Sequence, residues 1–116
     1  MNYKATHSLH DRWSEASRII EKYPDRVPII CERSHLASKD CPHIDKNKYL
    51  IPNDLTVGQF IYVLRKRMKL PPEKALFLFV NGTIIPTSHM MCQIYDAYKD
   101  EDCFLYITCS YENTFG

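Results

Sequence analysis

The stretch Asp54-Leu55-Thr56-Val57-Gly58-Gln59-Phe60-Ile61-Tyr62-Val63-Leu64-Arg65-Lys66-Arg67-Met68-Lys69-Leu70-Pro71-Pro72 sets the architecture of this chain. Val57, Phe60, Ile61, Leu64 and Met68 recur at spacings of three and four, which paints one apolar stripe along a helix. Thr56 offers a capping hydroxyl in front of the stripe, and Pro71-Pro72 forbids its continuation. The expectation is one central helix, and its neighbours on both sides have the composition of strands.

Upstream, Val27 to Glu32 and Tyr49 to Pro52 are compact apolar runs rich in branched residues, separated by a polar loop from Ser34 to Lys48. Downstream, Ala75 to Val80 is strand-like, and Asn81-Gly82 before Thr83-Ile84-Ile85 is a hairpin signal. Met91, Ile94, Tyr95 and Tyr98 supply one face of a short helix. The acidic cluster Asp100, Glu101 and Asp102 separates it from a last strand, Cys103 to Ser110. Near the start, Leu9, Trp13, Ala16, Ile20 and Tyr23 follow a helical period that Pro24 ends. Without that first helix the order is strand, strand, helix, strand, short strand, short helix, strand. One helix packed across a small mixed sheet gives an α+β β-grasp domain; a ferredoxin-like sheet is the other topology compatible with this order. The expected division is a helical extension at 1–24, a sheet domain at 25–110 and a short polar tail at 111–116.

Composition narrows the function classes. The 116 residues have a single-domain length, with 45% hydrophobic and 25% charged residues in ordinary globular proportion. Fifteen Lys plus Arg against 14 Asp plus Glu leave a net charge of +1, so no global field draws the chain to nucleic acid or to anionic membrane. The longest apolar run is far below the roughly 20 residues of a membrane helix, and the first residues lack a signal-peptide core. These features lead us to expect a cytoplasmic protein. The cysteines Cys31, Cys41, Cys92, Cys103 and Cys109 are odd in number and include no Cys-x-x-Cys pair, which points to free thiols, with Cys31, Cys92 and Cys109 as small buried hydrophobes.

Enzyme signatures are missing. Gly58 and Gly82 cannot assemble a phosphate loop, and no known local signature surrounds the cysteines and histidines. Cys31, His35, Cys41 and His43 are close in sequence, but Cys-x-x-x-His followed by Cys-x-His is not a standard zinc spacing and Cys31 falls in a strand, so no metal and no cofactor are expected. Arg65-Lys66-Arg67 closes the central helix, where cations oppose the negative end of the helix dipole. Lys46 and Lys48 flank the second strand. If that strand is a sheet edge, its open backbone groups can take an extended peptide, with the lysines attracting acidic residues. The tail ends Thr114-Phe115-Gly116, and a terminal glycine on a polar tail can enter a narrow enzyme cleft for acyl transfer.

Long matches place these pieces in a known family. They include Lys22-Tyr23-Pro24-Asp25-Arg26-Val27-Pro28, Ile44-Asp45-Lys46 with Lys48-Tyr49-Leu50-Ile51-Pro52, Asp54 to Phe60, Leu70-Pro71-Pro72-Glu73-Lys74-Ala75, Phe104-Leu105-Tyr106 and Glu112 to Gly116. With them the chain resembles the autophagy ubiquitin-like modifiers, the eighth autophagy-related protein with its GABARAP and microtubule-associated light-chain relatives. The resemblance implies a ubiquitin-like β-grasp domain with two extra N-terminal helices. It also implies a non-enzymatic modifier whose Gly116 passes through thioesters on an activating and a conjugating enzyme to phosphatidylethanolamine, served by a processing and delipidating cysteine protease. Residence would then be cytoplasmic and, after lipidation, on the autophagosome membrane.

The resemblance further implies docking of receptors and adaptors through an aromatic-x-x-aliphatic motif. Its aromatic pocket would be Glu15, Ile19, Pro28, Ile30, Lys48, Leu50 and Phe104. Its aliphatic pocket would be Tyr49, Ile51, Pro52, Leu55, Phe60 and Val63, with Arg26, Lys46 and Lys48 meeting acids and Leu55 and Phe60 sharing duty with the core. Phe77 and Phe79 resemble a second family surface. Three features depart from the pattern: Trp13 where relatives usually carry a basic residue, Leu9 where they carry Phe, and a longer segment from Ser34 to Cys41. The competing class is a β-grasp adaptor that binds peptides and is never conjugated.

Overall fold

The computed structural model describes residues 2–111. Their elements in chain order are α1 (Tyr3–Thr6), α2 (Leu9–Lys22), β1 (Arg26–Arg33), β2 (Lys48–Pro52), α3 (Val57–Met68), β3 (Phe77–Val80), β4 (Thr83–Ile84), α4 (Met91–Tyr98) and β5 (Leu105–Ser110). One sheet runs β2-β1-β5-β3-β4. Its central pair, β1 and β5, is parallel, and every other neighbour is antiparallel. Parallel strands need both faces covered. Alternation along β1 meets that need: Val27, Ile29 and Cys31 join α3 residues Val57, Phe60 and Leu64 in the main core, whereas Ile30 joins Tyr3, Ala16 and Phe104 under the N-terminal helices. α3 packs across one face with the short α4 beside it, the N-terminal helices cover the other, and the first and last strands lie side by side at the centre, which makes a β-grasp sheet. The ferredoxin-like alternative is excluded, because β1 passes to its antiparallel neighbour β2 with no helix between them.

Local chemistry fixes the elements where the sequence placed them. Thr56 and Gln59 form a reciprocal capping box at the start of α3, and Lys69 ends that helix in the left-handed region at φ 55°. Asn81 and Gly82 both have positive φ, at 51° and 78°, which is the two-residue turn that joins β3 to β4. The expected last strand is shorter than its apolar run because Cys103 sits at φ 72°, a conformation no strand residue adopts, so β5 begins at Leu105. Similarly, β3 begins at Phe77 rather than Ala75.

The first helix differs more. Its expected stripe is exposed at Leu9 (44%), Trp13 (49%) and Tyr23 (38%), and only Ala16 of that set is buried. The buried side is rotated toward Arg12, Ala16 and Ile19 because α2 is anchored by charge as well as by apolar contact. Arg12 Nη1 reaches Asp102 Oδ2 at 2.6 Å, and Asp102 is wholly buried. Asp102 also accepts from the Tyr106 hydroxyl at 2.5 Å and the Phe104 backbone N–H at 2.8 Å. α1 is tied separately, by Tyr3 N–H to Glu32 Oε2 at 2.9 Å and Lys4 Nζ to Asp100 at 2.5 Å. Among the cysteines, Cys31, Cys41 and Cys109 are buried, whereas Cys92 is half-buried rather than buried as expected.

Candidate functional site

β2 lies at the end of the sheet and pairs only with β1. The Cys31 N–H donates to the Asn47 carbonyl at 2.7 Å. By the alternation of an antiparallel ladder, the backbone groups of Asn47, Tyr49 and Ile51 face β1, and the N–H and C=O of Lys48 and Leu50 point outward. This is the open edge expected from sequence, with two donors and two acceptors arranged for one more strand.

The two faces of that edge differ. On the α2 face, Lys48 lies opposite Ile30 and Leu50 opposite Pro28. Ile30 and Phe104 are fully buried and form the floor; Leu50 and Ile19 are half-buried at its sides. Across the opening between α2 and β2, Lys48 Nζ meets Glu15 Oε2 at 2.5 Å, with the two side chains 39% and 30% exposed. All seven residues of the expected aromatic pocket therefore line one side of the strand. On the α3 face, Tyr49 and Ile51 are nearly buried, Tyr49 packs edge-on against Phe60 at 5.4 Å, and Leu55 is half-buried against the same core. Val63 and Pro52 remain exposed at the surface. Phe60 has no exposed surface and belongs to the core, so it can act on a ligand only by supporting Tyr49 and its neighbours.

Electrostatics follow the geometry. Burial raises the Glu15 carboxyl pKa, but the hydrogen bonds from Lys48 and Tyr3 together outweigh it and hold Glu15 below the usual carboxylate range. Burial pushes the Tyr49 phenol up to about 12, and its hydroxyl has no hydrogen-bond partner among the described residues. Lys46 Nζ stands over the Tyr49 ring at 5.3 Å and Arg26 over the Tyr23 ring at 5.9 Å, so both cations flank the strand without an ion-pair partner among the described residues.

One contributor was missed in the sequence. Tyr3, a lone aromatic in a polar N-terminus, is 3% exposed and packs edge-on against Phe104 at 5.6 Å. Its hydroxyl donates to Glu15 Oε1 at 2.5 Å, and Lys48 Nζ lies over its ring at 5.2 Å. No periodicity could have signalled this, because α1 is only four residues long.

Other expectations fare differently. Phe79 is 3% exposed and Phe77 half-buried, so the described fold does not present the pair as an open surface. The basic run is engaged within the chain: Arg65 donates to the carbonyls of Pro71 and Lys74, Arg67 pairs with Asp45 at 3.3 Å, and Lys66 covers Tyr62 at 5.2 Å. Among the described residues no group of three or more His, Cys, Asp or Glu side chains is placed to hold a metal ion, and His35 and His43 are exposed. No helix among them is long and apolar enough to cross a membrane. Gly116, the expected conjugation residue, lies outside the described residues.

Comparison with known proteins gives one consistent result. The family described as "Autophagy protein Atg8 ubiquitin like" matches residues 11–116. Autophagy-related protein 8c of Arabidopsis thaliana is 60% identical over 115 residues, covering 99% of this chain and 95% of that protein. Autophagy-related protein 8 of Candida glabrata is 53% identical over 115 residues, covering 99% and 96%. Among solved structures, the crystal structure of Trypanosoma brucei ATG8 superposes with a TM-score of 0.89 at 48% identity, covering 95% of this chain and 93% of that one.

Proposed function

The chain belongs to the Atg8 family of ubiquitin-like autophagy proteins, and from that membership we propose that it is a modifier joined through Gly116 to phosphatidylethanolamine, which then docks receptors and adaptors on the membrane that carries it. The observation that carries the docking half is the open edge of β2, with Leu50 half-buried on one face and Leu55 half-buried and Val63 exposed on the other. In an extended strand, residues three apart point to opposite faces. A peptide paired to the outward groups of Lys48 and Leu50 would therefore direct its aromatic toward Ile30, Leu50 and Phe104 and its aliphatic toward Tyr49, Ile51, Leu55 and Val63. With its aromatic toward the Lys48 end and its aliphatic toward Pro52, the peptide would run parallel to β2. Arg26, Lys46 and Lys48 supply charge for flanking acids.

The conjugation half rests on family membership and the chemistry of the tail. The Gly116 carboxylate has no side chain to obstruct a narrow active site. After activation by ATP it would pass as a thioester between cysteines of the activating and conjugating enzymes, and the amine of the lipid would displace the last thiolate to form an amide. The product carries two acyl chains, where a single chain would anchor only marginally. Before conjugation the protein is cytoplasmic; afterwards it resides on the autophagosome membrane. A processing and delipidating cysteine protease of the same system would release the lipidated form.

A single reconstitution tests this reading. Incubation with the family's activating and conjugating enzymes, ATP and phosphatidylethanolamine liposomes should give a faster-migrating, membrane-bound product, and Gly116→Ala should give none. Absence of product from the wild-type chain would instead identify a peptide-binding adaptor that is not conjugated.

A further inference from the structure

The aromatic pocket already holds an aromatic ring. Tyr3 meets four of its seven residues: Phe104 edge-on at 5.6 Å, Glu15 through its hydroxyl at 2.5 Å, Lys48 over its ring at 5.2 Å, and Ile30 within one buried cluster. An incoming side chain would need the same groups. We propose that Tyr3 is the resident occupant of the pocket and that α1 must swing away before a peptide aromatic can seat fully. This inference rests on the docking reading above and extends it to regulation of the same site.

The attachments of α1 suit a removable plug. A four-residue helix has no stability of its own, since isolated helices need roughly 12 residues or more to persist. Apart from Tyr3 itself, α1 is held by the bond from the Tyr3 N–H to Glu32, by Lys4 Nζ over the Tyr106 ring at 4.5 Å, and by the Lys4–Asp100 pair, whose Lys4 side chain is 46% exposed. An exposed pair of that kind contributes little. The following helix is anchored independently, through Arg12 to Asp102 and Ala16 in the core. His7 between them is extended, at φ −134° and ψ 137°, and Ser8 caps α2 by accepting from Asp11 N–H at 3.1 Å. Residues 2–6 can therefore leave without unseating α2, the chain staying tied at His7, whose carbonyl accepts from Arg12 Nε at 3.2 Å. The Glu15–Lys48 pair spans the gap between α2 and β2, and a peptide acid drawn to Lys48 would compete with Glu15 and draw Lys48 off the Tyr3 ring.

Apparent affinity falls by the fraction of molecules with an open pocket, so removing the plug should tighten binding. The experiment titrates a short acidic peptide with a Trp-x-x-Leu core by calorimetry into the wild type, Tyr3→Ala, Lys4→Ala and Leu50→Ala, with thermal unfolding as the check on folding. Tyr3→Ala should bind roughly five- to twentyfold more tightly, and Lys4→Ala more tightly by a smaller factor. In the wild type, amide exchange at Ala5 and Thr6 should accelerate on peptide saturation. Unchanged or weaker binding by Tyr3→Ala, with Leu50→Ala still weakening the complex, makes Tyr3 a fixed wall and overturns the proposal while the docking reading survives. Peptide bound by no variant removes both. If Tyr3→Ala fails to fold, exchange in the wild type decides: protection of Ala5 and Thr6 on binding refutes the plug, and acceleration supports it.

Discussion

Arg12 and Asp102 form an ion pair at 2.6 Å in which the carboxylate has no solvent exposure and the arginine side chain only 11%. They are ninety residues apart in sequence, and their pairing seats the helical extension on the β-grasp sheet. Removing one partner of a buried pair leaves the other charge uncompensated, which costs about 3–5 kcal/mol. The two substitutions are not equivalent. Without Asp102, Arg12 retains Asp100 at 3.9 Å; without Arg12, Asp102 stays buried with only the Tyr106 hydroxyl and the Phe104 N–H. Arg12→Met should therefore destabilise more than Asp102→Asn in denaturant unfolding. Equal and small losses, below about 1 kcal/mol, would show that α2 is held by apolar contact alone.

Pocket and core can be separated in the same binding assay. Leu50 is half-buried, opposite Pro28 on the α2 face, and its truncation should weaken a Trp-x-x-Leu peptide by about 1–3 kcal/mol with little effect on unfolding. Phe60, fully buried beneath Tyr49, should show the reverse: Phe60→Ala costs about 3–5 kcal/mol of stability, and any loss of binding follows the loss of fold. An intact titration curve for Leu50→Ala would refute the pocket.

The sequence shows its local rules clearly and its long-range pairings poorly. The stripe from Val57 to Met68, the Thr56 cap and the Asn81-Gly82 turn are each written within a few residues, and each forms in the fold. The open edge of β2 was legible as a consequence of topology. By contrast, the apolar positions of α2 pointed to Leu9, Trp13 and Tyr23, which are exposed, because a buried carboxylate ninety residues away rotates the helix toward Arg12. Tyr3 was illegible for the same reason: its partners Glu15, Glu32, Lys48 and Phe104 are distant in sequence, and a polar four-residue helix has no period to read. The family resemblance supplied the expected pocket residues, and the geometry adds that Ile30, Phe104 and Phe60 are fully buried whereas Leu50 and Leu55 are half-buried and Val63 is exposed.

Backbone strain marks a place where stability can be gained. Lys69 ends α3 at φ 55°, ψ 47°, its own N–H bonded back to the carbonyls of Arg65 and Lys66. A side chain in that region is disfavoured, whereas glycine adopts it readily. Lys69→Gly should raise stability by about 0.5–1 kcal/mol, seen as a higher thermal midpoint with unchanged peptide binding. A lower midpoint would mean that the Lys69 side chain contributes more than its backbone costs.

The attachment of α1 should depend on pH at both ends of the scale. Burial raises the pKa of the Glu15 and Asp100 carboxyls, but hydrogen bonds outweigh it, from Lys48 and Tyr3 at Glu15 and from Lys4 and the Asp102 N–H at Asp100, so both titrate below the usual range. A depressed folded value contributes stability that is present above the ordinary carboxylate pKa of about 4 and disappears as pH falls through the folded value. The Tyr3 phenol is shifted oppositely, pushed well above its usual value by burial and by the bond to and charge of Glu15. Its contribution is complete below the ordinary tyrosine pKa of about 10 and fades as pH rises beyond it. The Ile30 methyl resonances, set in the Tyr3 and Phe104 ring cluster, should thus hold steady from about pH 5 to 9 and move toward those of Tyr3→Ala below about pH 4 and above about pH 10. Resonances that move instead between about pH 5 and 9, or that hold steady at both extremes, would overturn the account in which Glu15, Asp100 and Tyr3 hold α1.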